Sequence, residues 1–180
     1  MPESGVRLAR TSDVDGIADV NVRSWRQRFA DTLPAEILDS MDPSDLAMVW
    51  ASGILNPPTK GHRLLVAVEG SDVVGYSAIG PSQDPDAEAG AGELLALEVD
   101  PDQQRQGHGS RLLAAAVEHA RAGGLDTVVV WCPLDDEPRR GFLQSAGWAP
   151  DSAYRDLAVG QAEDGTDRLV REVRLIAAID

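Results

Sequence analysis

Two features within one short stretch could do chemistry together. From Gln104 to Ser110 the chain reads Gln-Arg-Gln-Gly-His-Gly-Ser, and two carboxylates, Glu93 and Glu98, stand shortly before it. The first feature suits an anion. The leading N–H groups of a helix have no intrahelical partner, the helix dipole puts partial positive charge there, and glycine lets a bulky group approach the backbone. Amides from Arg105 through Ser110 can therefore point into one hollow, with Arg105 and Arg111 adding charge at its rim. The second feature suits proton removal. A free alkyl ammonium has a pKa near ~10, so little of it is neutral at pH 7, and a nearby carboxylate would help it lose its proton. Residues 93 and 98 have opposite parity. On an unbroken strand they face opposite sides, and only a bulge between them would change that.

The elements that must position these residues follow from the pattern around them. An apolar strand, Leu94 to Val99, stops at Asp100-Pro101. A helix begins near Gly107 and carries Leu112, Leu113, Ala116, Val117 and Ala120 at the spacing of a core-facing stripe. Upstream, Val6–Ala9 predicts a short strand, and Ser12 with Asp15 has capping-box spacing for a helix to about Ala30. Leu33-Pro34 and Asp42-Pro43 punctuate two short helices, the second from about Ser44 to Ser52. Arg63–Glu69 and Val73–Ile79 form a hairpin, and Pro81–Gly92 reads as an exposed mobile loop. Downstream come a helix stop at Gly123-Gly124, a strand at Thr127–Trp131, a helix at Glu137–Ala146, and two strands, Tyr154–Val159 and Leu169–Ile176. Trp25 suits either core packing or a pocket wall. The order is β, α, α, β, β, β, α, β, α, β, β.

Gln104-Arg105-Gln106-Gly107-His108-Gly109 matches the Gln/Arg-x-x-Gly-x-Gly/Ala pyrophosphate loop of the GNAT acetyltransferase superfamily, and the chain resembles that family over nearly its whole length. The resemblance implies an α/β (α+β) fold: a single domain over residues 1–180, with a mixed, mostly antiparallel sheet flanked by helices and a splayed central strand pair. It implies acetyl-CoA as co-substrate, with Gln104, Arg105, Gln106, Gly107, His108, Gly109 and Ser110 around the pyrophosphate. The pantetheine arm would pair with backbone near Leu97–Val99, and a Val99 N–H freed by a bulge would stabilise the oxyanion. Glu93 lies eleven residues before Gln104, where some members, including histone acetyltransferases, carry a glutamate base; Glu98 is the competing carboxylate. Asp136 stands where the family usually has a CoA-contacting asparagine, and Leu143 where many members place a tyrosine acid. Tyr154, Tyr76 or water could take over that acid role. The implied function is transfer of acetyl from acetyl-CoA to a primary amine, on a small molecule or a protein, by direct attack. The alternative is a non-catalytic acyl-CoA-binding or regulatory module on the same fold. A dinucleotide site would need a third glycine where Leu112 stands.

Composition narrows the partners. The chain has 180 residues and a net charge of −14, from 16 basic and 30 acidic side chains, which argues against nucleic acid and is compatible with a cationic acceptor. Cys132 is the one cysteine, so no intrachain disulfide forms. Without an apolar leader or a long apolar run, a soluble, cytoplasmic protein with no membrane association is expected. His62, His108 and His119 are far apart and fit no zinc spacing, so no metal is expected, and His108 is expected to face solvent. A homodimer could form.

Overall fold

Short apolar runs broken by glycine turns build the sheet. In the computed structural model, which describes residues 4–180, β1 (Ser4–Leu8) pairs antiparallel with β2 (Arg63–Glu69). β2 turns at Gly70, where φ is 62°, into antiparallel β3 (Asp72–Pro81). β4 (Ala91–Val99) pairs with β3. Beyond it lie β5 (Thr127–Pro133) and the long hairpin of β6 (Ala149–Gln161) and β7 (Asp167–Ala178). Among the described residues seven strands run in the order β1-β2-β3-β4-β5-β7-β6, and only the β4–β5 pair is parallel. The expected mixed, mostly antiparallel sheet is therefore present.

Helices cover the two faces. α1 (Val14–Arg28), α2 (Ala35–Asp39) and α3 (Pro43–Leu55) precede β2, while α4 (His108–Ala122) follows β4 and α5 (Glu137–Ser145) follows β5. Leu112, Ala116 and Ala120 of α4 and Leu143 of α5 pack with Leu65, Leu94, Leu97, Val128 and Leu175 on one face. Ile17 and Val20 of α1, with Trp50 of α3, pack on Val66, Val68 and Tyr76 on the other. Strand alternation sends neighbouring residues to these two cores. The start of α1 differs from the expected Ser12–Asp15 box. A 3₁₀ turn, Thr11–Asp13, comes first, and Asp13 accepts the Arg10 N–H (2.7 Å) while pairing with Arg7 of β1 (2.7 and 3.0 Å). The cation on β1 selects Asp13 over Asp15, and it holds that carboxyl below its ordinary range.

One break in the sheet decides the rest. β4 and β5 share only three paired positions, Ala91–Glu93 against Thr127–Val129. Beyond them β4 follows β3 to Val99 and β5 follows β7 to Pro133, so a wedge opens between them. A bulge sits where they part. Ala78 pairs with Ala96 and Ile79 with Leu94, which leaves Leu95 as the extra residue. Such a residue bends its strand and increases its twist. It also supplies the break that lets residues of opposite parity share a face. Glu93 lies opposite Gly80, Ala96 opposite Ala78 and Glu98 opposite Tyr76, so both glutamates lie on the face covered by α1 and α3.

Candidate functional site

The turn between β4 and α4 has the form an anion site requires. Asp100 caps a 3₁₀ turn, Pro101–Gln103, by accepting the Asp102 N–H (2.9 Å), and its other oxygen takes Arg23 Nη1 (2.6 Å). The chain then passes through positive φ at Arg105 (63°) and Gly107 (85°) before α4 begins. The Arg111 N–H bonds to the Gly107 carbonyl (3.1 Å) and is the first in the helix to find one. Among the described residues, none of the N–H groups from 104 to 110 bonds within the protein. A side chain at Gly107 would meet nothing within 4 Å but would be strained by its φ, whereas one at Gly109 would touch Phe142 at 3.6 Å. The space above the loop is therefore open to a ligand, and the amides bordering it are free.

That space continues into the wedge as a cleft of about 740 Å³. Gln104, Arg105, Gly107, His108, Gly109 and Ser110 of the loop line it, together with Leu97, Glu98, Val99, Asp136 and Phe142 and with Arg28, Phe29 and Thr32. Gln106 turns its amide to Gln103 (3.2 Å) and is not in the wall. The strand backbone is turned the right way. Asp100 N–H bonds back to Val74 of β3 (2.8 Å), while the Leu97 carbonyl accepts Arg139 Nη1 of α5 (2.7 Å). Alternation then puts the N–H groups of Leu97 and Val99 on the wedge side. Val99 is freed by the departure of β5; the bulge expected near it lies at Leu95 instead.

A buried charge network spans the wedge. Arg28 of α1 donates to Glu98 (2.5 Å) and approaches Asp136 at 3.7 Å, and Arg139 lies 3.9 Å from Glu98. Glu98 is 7% exposed, so it is a held ion-pair partner as well as a wall residue. Asp136 caps α5 through Oδ1, which accepts the Arg139 N–H (3.1 Å), while its Oδ2 and Arg28 Nε are buried without a hydrogen bond.

Glu93 stands outside that cleft, nearer the point where the strands part, and is half-buried. Burial pushes its carboxyl above the ordinary range, and the Asp84 carboxylate adds to this. The Gln83 backbone N–H and Arg155 oppose it, while Glu172 acts with Asp84. The structure thus brings together every proposed loop residue except the Gln106 side chain, and places the two carboxylates on one face in different surroundings.

Two expectations change. His108 does not face solvent: it is 2% exposed, with Nδ1 3.1 Å from Arg111 and Nε2 3.8 Å from Glu69. It sits four residues before Leu112 and so extends the buried stripe of Leu112, Ala116 and Ala120, a signal present in the sequence. Burial, with Arg111 adding to it, pushes its pKa down, which favours the neutral ring. Neither tyrosine enters the cleft wall. Tyr154 is 63% exposed against Arg171, and Tyr76 is buried with Trp50 at 5.0 Å. Leu143 is wholly in the core, and its neighbour Phe142 reaches the cleft. Sequence reasoning missed Arg28 and Arg139, because their partner Glu98 lies 70 and 41 positions away. Among the described residues no group of His, Cys, Asp and Glu side chains could hold a metal, and no helix is long and apolar enough to cross a membrane.

Comparison with known proteins agrees with this geometry. The model of the acetyltransferase (GNAT) family matches residues 22–148. The uncharacterised N-acetyltransferase YuaI of Bacillus subtilis (strain 168) is 31% identical over 151 residues, 84% of this chain and 82% of that protein. A mycothiol acetyltransferase of Kineococcus radiotolerans is 37% identical over 113 residues, 54% of this chain but only 35% of that longer protein. Among solved structures, the ribosomal-protein-alanine N-acetyltransferase of Brucella melitensis superposes with a TM-score of 0.72 at 18% identity, covering 96% of this chain and 98% of the other. The PaiA N-acetyltransferase of Thermoplasma acidophilum, in complex with coenzyme A, gives 0.69 at 17% identity, covering 94% and 98%.

The network across the wedge carries a testable cost. Glu98→Ala would leave the largely buried Arg28 guanidinium without its closest partner, a change expected to cost about 3–5 kcal/mol. Urea denaturation measures this, and a loss below about 1 kcal/mol would show that the pair does not hold the wedge.

Proposed function

Since the chain belongs to the GNAT family of acetyltransferases, we propose that it moves an acetyl group from acetyl-CoA to a primary amine by direct attack, with Glu93 as the base. The observation that carries this reading is the row of unbonded amides at residues 104–110, opening into a cleft that runs along the unpaired edge of β4. The site fits the co-substrate. The free amides and the dipole of α4 suit a diphosphate, and the open space over Gly107 leaves room for one. The wedge side of Leu97 and Val99 offers backbone groups to an extended amide-bearing arm, as an added strand would use them. Acetyl-CoA supplies the activated acyl group.

Each part of the barrier then has a residue. Capture at the loop holds the reactants together, and such positioning can contribute roughly 7–11 kcal/mol at best. The N–H of Val99, or of Leu97 beside it, would stabilise negative charge on the carbonyl oxygen, with one donor contributing about 3–4 kcal/mol. Glu93 would accept the proton as the amine nitrogen bonds to the carbonyl carbon and the carbon–sulfur bond breaks. Glu98 is the weaker candidate because Arg28 already holds its carboxylate at 2.5 Å. With neither tyrosine in the cleft wall, the sulfur would leave as thiolate or take its proton from water. The net charge of −14 favours a cationic acceptor through the long-range field.

Two experiments test this. Calorimetry should show micromolar CoA binding that weakens by at least about tenfold, ~1.4 kcal/mol, in Gly107→Val and in Gly109→Leu. Unchanged affinity in both would remove the loop from the site. Acetyl-CoA turnover, read as free thiol across polyamines, aminoglycosides, amino acids and peptides, should fall by about 10²–10⁴ in Glu93→Gln. In the wild type the rate should drop as pH falls through a pKa above the ordinary carboxylate value, because burial and Asp84 raise it. If Glu93→Gln keeps that acid limb, Glu93 is not the base.

A further inference from the structure

Segment 82–90, between β3 and β4, is pinned by one side chain from the far end of the chain. Arg174 of β7 has a side chain only 12% exposed. Its Nη1 donates to Asp84 (3.2 Å), Nη1 and Nη2 donate to the two oxygens of Asp86 (2.7 and 3.0 Å), and Nε donates to Asp151 of β6 (2.7 Å). Asp84 is 9% exposed and also accepts Trp131 Nε1 (3.0 and 3.1 Å). The segment's ends are tied as well, by Ser82 N–H to the Ala91 carbonyl (2.9 Å) and Ala91 N–H to the Glu88 carbonyl (3.1 Å). The loop expected to be free is therefore strapped down.

The strap lies beside Glu93. Trp131 pairs with Arg174 across β5 and β7, and Val129, two residues earlier, pairs with Glu93. Strand alternation puts all four residues on one face of the sheet. Arg155 of β6 stacks 4.3 Å above Trp131 and pairs with Glu172 of β7 (2.6 Å). A guanidinium suits this task because its planar fork can hold several carboxylates at fixed angles, which an ammonium cannot.

We propose that Arg174 is a positioning residue for Glu93: by gripping Asp84 and Asp86 it keeps segment 82–90 closed beside the strand, and that segment gives Glu93 its sheltered place. The catalytic consequence rests on the reading of Glu93 as the base. The charged groups facing Glu93 are Asp84 from the segment, Arg155 from β6 and Glu172 from β7, together with the Gln83 amide. Burial and Asp84 are the two largest influences, and Asp84 belongs to the segment. Asp84 raises the Glu93 pKa more than the Gln83 amide of the same segment lowers it, so releasing the strap lowers it. Loss of the Arg174 charge alone would act in the opposite direction, because removing a nearby cation makes a carboxylate harder to ionise. The sign of the shift therefore separates strap release from simple charge loss.

The test is a ¹³C NMR titration of the full chain labelled at glutamate Cδ, with the Glu93 signal assigned by its disappearance in Glu93→Gln. The Glu93 midpoint should move to lower pH in Arg174→Gln. It should also move down in Arg174→Lys, which keeps the charge but loses the fork and guards against misfolding of the first variant. The acid limb of kcat/KM should follow the same shift. A purely structural role would lower the melting temperature and leave the midpoint in place. An unchanged or raised midpoint in the variants that fold overturns the proposal. If the midpoint falls while Glu93→Gln retains the acid limb, the strap stands and the base assignment fails, so the two ideas fail separately.

Discussion

A ladder that two adjacent strands stop making is the constraint on which this molecule depends. β4 and β5 share three positions and then part, each staying with its outer neighbour. A buried strand edge with no partner is normally costly, because its N–H and C=O groups lose water without gaining a bond. Here that edge lines a cleft, and the groups of Leu97 and Val99 stay available to a ligand. The bulge at Leu95 sits just past the last paired residue, and a bulge bends the strand that carries it. The same extra residue brings Glu93 and Glu98 to one face, so one local irregularity both opens the wedge and sets which side the carboxylates serve.

Where the ladder stops, charge takes its place. Arg28, Glu98, Asp136 and Arg139 come from α1, β4 and the start of α5, so they join the two halves of the sheet across the gap. Apolar packing could not do this without filling the cleft. Ions can hold walls apart at a fixed distance, at the cost of desolvation and of two polar atoms left unbonded, Arg28 Nε and Asp136 Oδ2. The Arg174 cluster does a similar task on the other side of the wedge. One set of arginines borders the cleft and the other lies on the face that carries Glu93.

Much of this was legible from residue types. Glycines at 107 and 109 ahead of an apolar helical stripe give the loop, and the order of elements gives the fold, because turn chemistry and periodicity are local. The hidden parts are those that depend on distant partners or on uniform patterns. Leu94-Leu95-Ala96-Leu97 is apolar throughout, so no alternation marks the residue that bulges, and whether Glu93 and Glu98 share a face is not readable from their spacing. Arg174 meets Asp84 across 90 residues, which no spacing reveals. His108 is different: its place four residues before Leu112 puts it on the helical stripe, although the same residue also stands in a polar loop motif.

The most direct test follows backbone amides rather than rates. In ¹H–¹⁵N spectra of the full chain titrated with acetyl-CoA, the largest shifts should fall on residues 104–110 and on Leu97 and Val99, saturating together. Saturation elsewhere with those amides unmoved would contradict the account, since it would mean that the free N–H groups of the loop and the open edge of β4 do not hold the co-substrate.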